Sequence, residues 1–197
     1  MAITTEMIKQ LRELTQAGVL DCKKALEQND GDFEKATEYL KQKGLASAAK
    51  KADRAAVDGR VEAYIHPGDK LAALVEINCE TDFVALTETF RSFCHDVAMQ
   101  VAATAPRWVS REDVSPAELA ELKAEYAQQA ADENKPANIV ERIVEGKLAK
   151  FFGETCLLEQ AYIKDDSKTV QQLLTEMIAK LGENIKIARF ARFQITN

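Results

Sequence analysis

The hydrophobic residues of this chain change their period near residue 60, and that change most constrains the fold. From Ile3 to Leu40 the apolar residues recur every three or four positions, as they do along one face of an α-helix. From Arg60 to Cys79 they alternate with polar residues, which is typical of strands with one face open to water. Because the two patterns occupy separate stretches, the sequence predicts an α+β protein.

The first 44 residues contain three apolar stripes at helical spacing. Turn signals separate the stripes at Gly18 and at Asn29-Asp30-Gly31, and Gly44 is predicted to end the third. Helices of about ten residues bury little surface alone, so we expect them to pack as one small three-helix bundle. The stripes are Ile3, Met7, Leu11 and Leu14; Val19, Cys22 and Leu26; and Phe33, Ala36 and Leu40.

The boundary between two domains is predicted in the alanine-rich stretch 45–59. We interpret this stretch as a linker with helical tendency. The predicted organisation is an N-terminal three-helix module with the start of the linker over residues 1–53, and an α+β core domain over residues 54–197.

The predicted core domain is a small antiparallel sheet of about three strands packed against helices. Its first two strands form a hairpin, because Pro67-Gly68-Asp69-Lys70 is a turn sequence between two alternating runs. The predicted strands are Arg60–His66, Leu71–Cys79 and Asn184–Ile195, and the predicted helices run from near Asp82 to Ala105, from Ser115, from Pro136 through Phe152, and from Val170 to Leu181.

Composition argues against several classes of function. The formal net charge of −6 disfavours non-specific nucleic-acid binding as the main activity. The four cysteines form no CxxC pair, which favours reduced thiols over disulfides or a zinc site. The start of the sequence lacks a signal-peptide pattern, and no apolar run is long enough to span a bilayer. We expect a cytoplasmic protein that binds no membrane and no metal.

The sequence contains none of the common catalytic or nucleotide-binding motifs. GxxxxGK[ST], GxGxxG, HExxH and GxSxG are all absent. Cys94 and His95 resemble a nucleophile and its base only in being adjacent, because neighbouring side chains on a helix diverge by about 100°. A buried cysteine beside a surface histidine is the favoured interpretation. We therefore expect no catalytic site and no cofactor, and a function that depends on binding another protein.

The junction between the second strand and the next helix is the most informative part of the sequence. Thr81 is suited to cap the helix, and Asp82 in its first turn suits the positive end of the helix dipole. Phe83 is ambiguous. Counting back by three from Leu86 places Phe83 on the predicted buried face, so periodicity alone favours burial over an outward orientation.

Several runs of the sequence closely resemble the bacterial elongation factor Ts family. They occur in the same order as in the family, in both predicted domains and at the last strand, so the resemblance covers nearly the whole chain. The runs are Leu11–Gly18, Asp21–Leu26, Val75–Ala85, Gly182–Ile185 and Arg189–Phe193.

The resemblance implies a function in translation. Elongation factor Ts is the guanine-nucleotide exchange factor for elongation factor Tu, the GTPase that carries aminoacyl-tRNA to the ribosome. In the family, the end of the second strand lies beside the nucleotide of the GTPase and disturbs its Mg²⁺ and phosphate site, while the factor itself binds no nucleotide. The residues that correspond here are Thr81, Asp82, Phe83 and Val84.

The resemblance also implies that the N-terminal three-helix module is similar to a ubiquitin-associated domain and docks on the GTPase. Val19 and Leu20 follow Gly18 and are candidates for that contact, although packing within the bundle explains them equally well. The chain resembles the short form of the family, which lacks a second core half. A homodimer paired through the terminal strand is one way to supply the missing surface.

The alternative function is RNA binding by the C-terminal strand. Cations and aromatic residues are interleaved there, as they are on surfaces that stack RNA bases. The acidic total charge disfavours this alternative, and packing in the core is the simpler explanation of the aromatic residues. The residues concerned are Lys186, Arg189, Phe190, Arg192 and Phe193.

Overall fold

The computed structural model describes residues 3–15, 17–132 and 136–195. These residues form an α+β fold whose main sheet is antiparallel, with the strand order β1-β2-β5, and β3 pairs with β4 in a separate hairpin. The predicted fold class is therefore confirmed. The elements are α1 Thr5–Thr15, α2 Val19–Gln28, α3 Phe33–Lys51, β1 Asp58–Ile65, β2 Leu71–Cys79, α4 Asp82–Ala85, α5 Glu88–Thr104, α6 Pro116–Asp132, α7 Ala137–Thr155, β3 Ala161–Tyr162, β4 Asp165–Thr169, α8 Val170–Leu181 and β5 Lys186–Gln194.

The described chain forms two compact units, and neither is continuous in sequence. The first unit contains the residues up to Arg60 together with Ile77–Phe93 and Gln172–Lys186. The second contains Val61–Glu76, Cys94–Gln171 and the residues from Ile187 onward. The predicted domain boundary between residues 53 and 54 stays a prediction.

The three N-terminal helices share one buried core, formed by Leu11, Cys22, Ala25, Leu26, Ala36 and Leu40. Two expectations about this region are wrong. Leu14, in the last turn of α1, is 69% exposed, so the predicted stripe is buried only as far as Leu11.

The second error concerns the end of α3, which continues through Gly44 to Lys51. A glycine inside a helix costs only about 1 kcal/mol relative to alanine, and the alanine-rich residues that follow are good helix formers. A Cβ atom at Gly44 would lie 3.7 Å from the Cβ atom of Ala179 in α8, so this part of α3 packs close to α8.

The helix predicted from Asp82 to Ala105 is interrupted after Ala85. Thr87 forms the interruption, because its hydroxyl donates to the carbonyl of Val84 at 2.8 Å and accepts the N–H of Phe90 at 3.2 Å. The second bond caps the start of α5. Periodicity counted back from Phe90 therefore does not extend to the residues before Thr87.

The central strand β2 has the predicted alternation, with Ala73, Val75, Ile77 and Cys79 buried on one side. The edge strand β1 differs from the prediction, because its apolar residues Val61 and Ile65 are exposed. Its other face contacts α5: Glu62 Oε1 lies 3.3 Å from Nδ1 of His95, and the ring of Tyr64 packs edge-on against the imidazole of His95. Polar and aromatic contacts thus decide which face of β1 is covered.

The hairpin of β3 and β4 lies between the predicted helices that end at Phe152 and begin at Val170, where the sequence predicts neither a helix nor a strand. Gln100, fully buried in α5, positions its start by donating to the carbonyl of Ala161 at 3.0 Å and accepting the N–H of Ile163 at 2.8 Å. The strands are too short to give a periodic signal, so a contact distant in sequence specifies them.

Within the described residues, none of the helices combines the length and the apolar character that crossing a membrane requires.

Candidate partner-binding tip

The start of the short helix α4, just after β2, presents an exposed aromatic side chain. We call Thr81, Asp82, Phe83 and Val84 the tip. Phe83 is 80% exposed, so the expectation of burial from periodicity is wrong. The physical reason is the interruption at Thr87, which separates the helical phase of the tip from that of α5. An outward Phe83 agrees with the orientation that the resemblance implies, while its contact with a partner stays a prediction.

Leu86 extends the apolar surface of the tip, and sequence reasoning missed it. Periodicity predicts that Leu86 lies on the buried face of a continuous helix, but the side chain is 66% exposed. The signal that could have revealed this is Thr87 followed by Glu88, since threonine is a preferred N-cap and an acidic residue suits the first turn. A helix that begins at Glu88 leaves Leu86 outside the buried face.

Thr81 caps α4, as the sequence predicts. Its backbone is extended, with φ −133° and ψ 154°, and its side-chain oxygen accepts the N–H of Val84 at 3.4 Å. Asp82 occupies the first turn and is exposed. The cap satisfies one of the N–H groups that have no partner within the helix at its start.

Glu183, just after α8, holds the beginning of the tip. Its Oε2 accepts the backbone N–H of Glu80 and of Thr81, both at 3.0 Å. Its Oε1 accepts the hydroxyl of Thr81 at 2.6 Å. Hydrogen bonds to a carboxylate are stronger than those between neutral groups, so this side chain fixes the turn before Phe83.

Asn184 and Glu80 form a second connection between the segment that follows α8 and the segment that follows β2. Oε1 of Glu80 accepts the backbone N–H of Asn184 at 2.6 Å and lies 3.4 Å from Nη1 of Arg54. The side chain of Asn184 is buried and donates to the carbonyls of Ala52 and Arg54, at 3.3 Å and 2.8 Å. The stretch that follows α3 is therefore held by the residue next to Glu183.

Cys79 is a buried thiol directly behind the tip. Its Sγ donates to the carbonyl of Thr81 at 3.2 Å. Burial, together with the carboxylates of Glu183 and Asp58, raises the pKa of Cys79 to about 11. The thiol is therefore protonated near neutral pH, where thiolate chemistry is suppressed.

The second candidate surface is the start of α2. Val19 and Leu20 are both exposed, and neither belongs to the buried core of the three N-terminal helices. Gly18 precedes them at the N-cap position and provides no side-chain cap. Both side chains are accessible to a partner, and contact with one stays a prediction.

The C-terminal strand offers a poor platform for RNA. Arg189 forms an ion pair with Glu76, with Nε and Oε2 at 2.6 Å. Arg192 donates from Nε to the carbonyl of Ala102 at 3.0 Å. These two cations already have protein partners, while Phe193 is exposed and Phe190 half-buried.

The structure places Cys94 and His95 as the sequence predicts, with the thiol buried and the imidazole exposed beside Glu62. In the ranges 3–15, 17–132 and 136–195, no cluster of three or more histidine, cysteine or acidic side chains is arranged to hold a metal ion.

Comparison with known proteins identifies one family. A family model described as Elongation factor TS matches residues 3–197. A relative from Carboxydothermus hydrogenoformans, described as Elongation factor Ts, is 60% identical over 194 residues, which cover 98% of this chain and 89% of the relative. Relatives of the same description from Caldanaerobacter subterraneus subsp. tengcongensis and Herpetosiphon aurantiacus are 58% and 53% identical, and the matches cover 98% and 99% of this chain and 96% and 98% of the relatives. These matches confirm the resemblance seen in the sequence.

Proposed function

The chain belongs to the elongation factor Ts family, and on that premise we propose that it is a guanine-nucleotide exchange factor for elongation factor Tu. It acts in translation elongation, in the cytoplasm, by binding the GDP-bound GTPase and promoting release of GDP so that GTP can bind. The observation that best supports this function is the tip, where an aromatic side chain that is 80% exposed stands on a turn fixed by hydrogen bonds.

The proposed mechanism requires no chemistry from the chain itself. A GTPase holds the phosphates of its nucleotide with backbone N–H groups, a lysine and Mg²⁺. If Phe83 inserts beside that site and displaces the elements that hold Mg²⁺, the phosphate charge is poorly neutralised and GDP leaves faster. Binding of the factor and of the nucleotide must then weaken each other by the same factor, because coupling between two binding sites is reciprocal.

Phe83 alone cannot supply all of the binding energy that nucleotide exchange requires. Burying a phenylalanine contributes roughly 1.5–3 kcal/mol, which corresponds to about a tenfold to hundredfold change in affinity. Leu86 adds apolar surface of the same kind next to Phe83. We propose that Val19 and Leu20 of α2 supply further docking energy, and that Asp82 contributes polar contacts with the GTPase.

A fluorescent GDP preloaded on a bacterial elongation factor Tu tests the proposed function. Its release is followed by stopped flow, with and without this chain, at several concentrations of free Mg²⁺. The chain is expected to accelerate release when Mg²⁺ is present. The acceleration is expected to shrink as a chelator removes the metal, because the GTPase then already lacks what the factor displaces. Equal release rates with and without the chain would exclude the function, and salt-dependent RNA binding abolished by Phe190→Ala with Phe193→Ala would support the alternative.

For the oligomeric state we propose a homodimer paired through β5. This strand lies at one edge of the sheet, and its residue Phe193 and the following Ile195 are exposed. An antiparallel pair of identical edge strands is self-complementary, as a two-fold interface requires. Sedimentation equilibrium tests the proposal: a concentration-dependent dimer that Phe193→Glu converts to a monomer is expected, and a monomeric parent chain at every concentration would contradict it.

A further inference from the structure

We propose that Glu183 is a positioning residue for the tip, and that it controls how fast nucleotide is released without itself touching the GTPase. The inference rests on the proposed function and adds to it a residue from another part of the chain. Glu183 is half-buried, and its three hydrogen bonds reach residues that lie 102 and 103 positions earlier.

The two backbone N–H groups that donate to Glu183 have few other hydrogen-bond acceptors. The N–H groups of Glu80 and Thr81 lie after the end of β2 and before the first turn of α4, so neither the helix ladder nor β2 itself pairs them. A single carboxylate oxygen accepts both, at 3.0 Å each. Removal of the carboxylate leaves two adjacent backbone donors without their partner and frees the turn to rearrange.

The hydroxyl of Thr81 transmits this constraint to Phe83. A threonine hydroxyl has one proton to donate, and its oxygen accepts through lone pairs. Because Glu183 takes that proton at 2.6 Å, the lone pairs remain directed at the N–H of Val84, which caps α4. The direction of the first turn of α4, and with it the direction of Phe83, therefore depends on a carboxylate that follows α8.

The backbone at Gly182 directs Glu183 towards the tip. Gly182 has φ +78°, a left-handed conformation that glycine adopts without strain, and its N–H donates to the carbonyl of Ile178 at the end of α8. The chain reverses there, and Glu183 and Asn184 then lie beside Glu80. Glu80 in turn accepts the N–H of Asn184, so each of the two segments binds the other through a carboxylate and a backbone N–H.

A double-mutant cycle separates positioning from a general loss of structure. The variants are Glu183→Ala, Phe83→Ala and the pair together. Glu154→Ala is the matched control, since the side chain of Glu154 is exposed and forms an ion pair with Lys150 at 3.8 Å, while its backbone carbonyl, which accepts from Gln160, is kept in the variant. For each, stopped flow gives the maximal GDP release rate at saturating factor and the concentration that gives half that rate.

We expect Glu183→Ala to lower the maximal rate roughly tenfold to hundredfold, because small displacements of a positioned group have effects of that size. The half-saturating concentration is expected to change less than the maximal rate. In the Phe83→Ala background the same substitution is expected to have almost no further effect, since Glu183 acts through Phe83. Glu183→Gln keeps an oxygen for the two backbone donors but presents an amide N–H group to the Thr81 hydroxyl, so its rate is expected to lie between those of the parent and of Glu183→Ala. Glu154→Ala is expected to retain the full rate.

Two results would overturn the inference: an unchanged maximal rate in Glu183→Ala, or effects of the two substitutions that multiply in the double variant. If Glu183→Ala does not fold, Glu183→Asp replaces it, because the charge is kept while the reach is shortened. Amide hydrogen exchange of Glu80, Thr81 and Val84 provides a readout without the GTPase. Faster exchange at these amides in the variant is expected, and unchanged exchange contradicts the inference. A parent chain that fails to release GDP would instead reject the proposed function, while the exchange measurement still decides the role of Glu183.

Discussion

The side-chain amide of Asn184 donates a hydrogen bond to the backbone carbonyl of Arg54 at 2.8 Å, across 130 residues of sequence. The same amide donates to the carbonyl of Ala52 at 3.3 Å, so a side chain that is only 2% exposed is satisfied by the stretch after α3. Asn184 follows Glu183, which holds the tip. One dipeptide therefore holds both the tip and the backbone that leads from α3 to β1.

Replacement of Asn184 is predicted to destabilise the fold through those two carbonyls. Asn184→Ala removes both donors and is expected to lower the free energy of unfolding by about 1–3 kcal/mol. Asn184→Asp is expected to cost more, because a buried carboxylate would face two carbonyl oxygens close to Glu80 and Glu183. Urea unfolding of the three proteins measures the difference. An aspartate variant as stable as the parent would show that the amide donors contribute nothing.

Gly59 in β1 is predicted to tolerate no side chain. It has φ +147°, and a Cβ atom at this position would lie 2.2 Å from the carbonyl oxygen of Ile77 and 2.7 Å from Cα of Asn78. Overpacking against rigid backbone and an unfavourable φ together are expected to cost Gly59→Ala roughly 2–5 kcal/mol.

A second glycine provides the matched control. A Cβ atom at Gly146, inside α7, meets nothing within 4 Å, so Gly146→Ala is expected to raise stability by about 0.5–1 kcal/mol through helix propensity. Thermal unfolding of both variants distinguishes the two sites. Equal shifts in Tm would contradict the close approach at Gly59.

Stability is predicted to fall in alkaline solution because buried thiols resist ionisation. Burial raises the pKa values of Cys22, Cys79 and Cys156 above their ordinary value of 9.0, and that of Cys79 to about 11. Between those two values the unfolded chain releases a proton that the folded chain keeps, so the free energy of unfolding decreases as the pH rises. The contribution of the protonated Cys79 thiol to the free energy of unfolding is complete below pH 9.0 and is lost by about pH 11.

The variant Cys79→Ser isolates the contribution of one thiol. Serine keeps a donor for the carbonyl of Thr81 but does not ionise in this range. Urea unfolding from about pH 8 to about pH 10 is expected to show a shallower decline for Cys79→Ser than for the parent chain. Parallel declines in the two proteins would show that the ionisation of Cys79 is not linked to folding.

Leu86 is predicted to contribute to docking and not to folding. Its side chain is 66% exposed, so Leu86→Ala is expected to change the free energy of unfolding by less than about 0.5 kcal/mol. The concentration of factor needed for half-maximal GDP release is expected to rise several-fold, because apolar surface that the GTPase would cover is lost. Ile163→Ala, at an exposed apolar residue of the second unit, is the control. The same half-saturating concentration in the parent and in Leu86→Ala would exclude Leu86 from the interface.

Local signals in the sequence correctly predicted the features that depend on neighbouring residues. The alternation in β2 places Val75 and Ile77 in the core, Thr81 is predicted as the cap of α4, and Leu181 as the last residue of α8. Each of these depends on the period of a strand or on the backbone requirements of a helix end, and both can be seen within a few residues.

Features that depend on distant contacts could not be predicted from the sequence. The interruption at Thr87 is different, because its contacts are local: the cap signal of Thr87 competes there with continuation of the helix, and the periodicity of α5 alone favours the wrong result for Phe83. The face of β1 that is covered depends on His95 in α5, against which Glu62 and Tyr64 lie. The three hydrogen bonds of Glu183 join segments about a hundred residues apart, and no local sequence pattern predicts them.

Phe83 is proposed to open the nucleotide site of the GTPase. The maximal rate of fluorescent GDP release from elongation factor Tu, at saturating factor, tests this role most directly. Phe83→Ala is expected to lower that rate by roughly tenfold to hundredfold, with a smaller rise in the half-saturating concentration. The variant is also expected to unfold at the same urea concentration as the parent, since the side chain is exposed. A maximal rate equal to that of the parent chain would contradict the account.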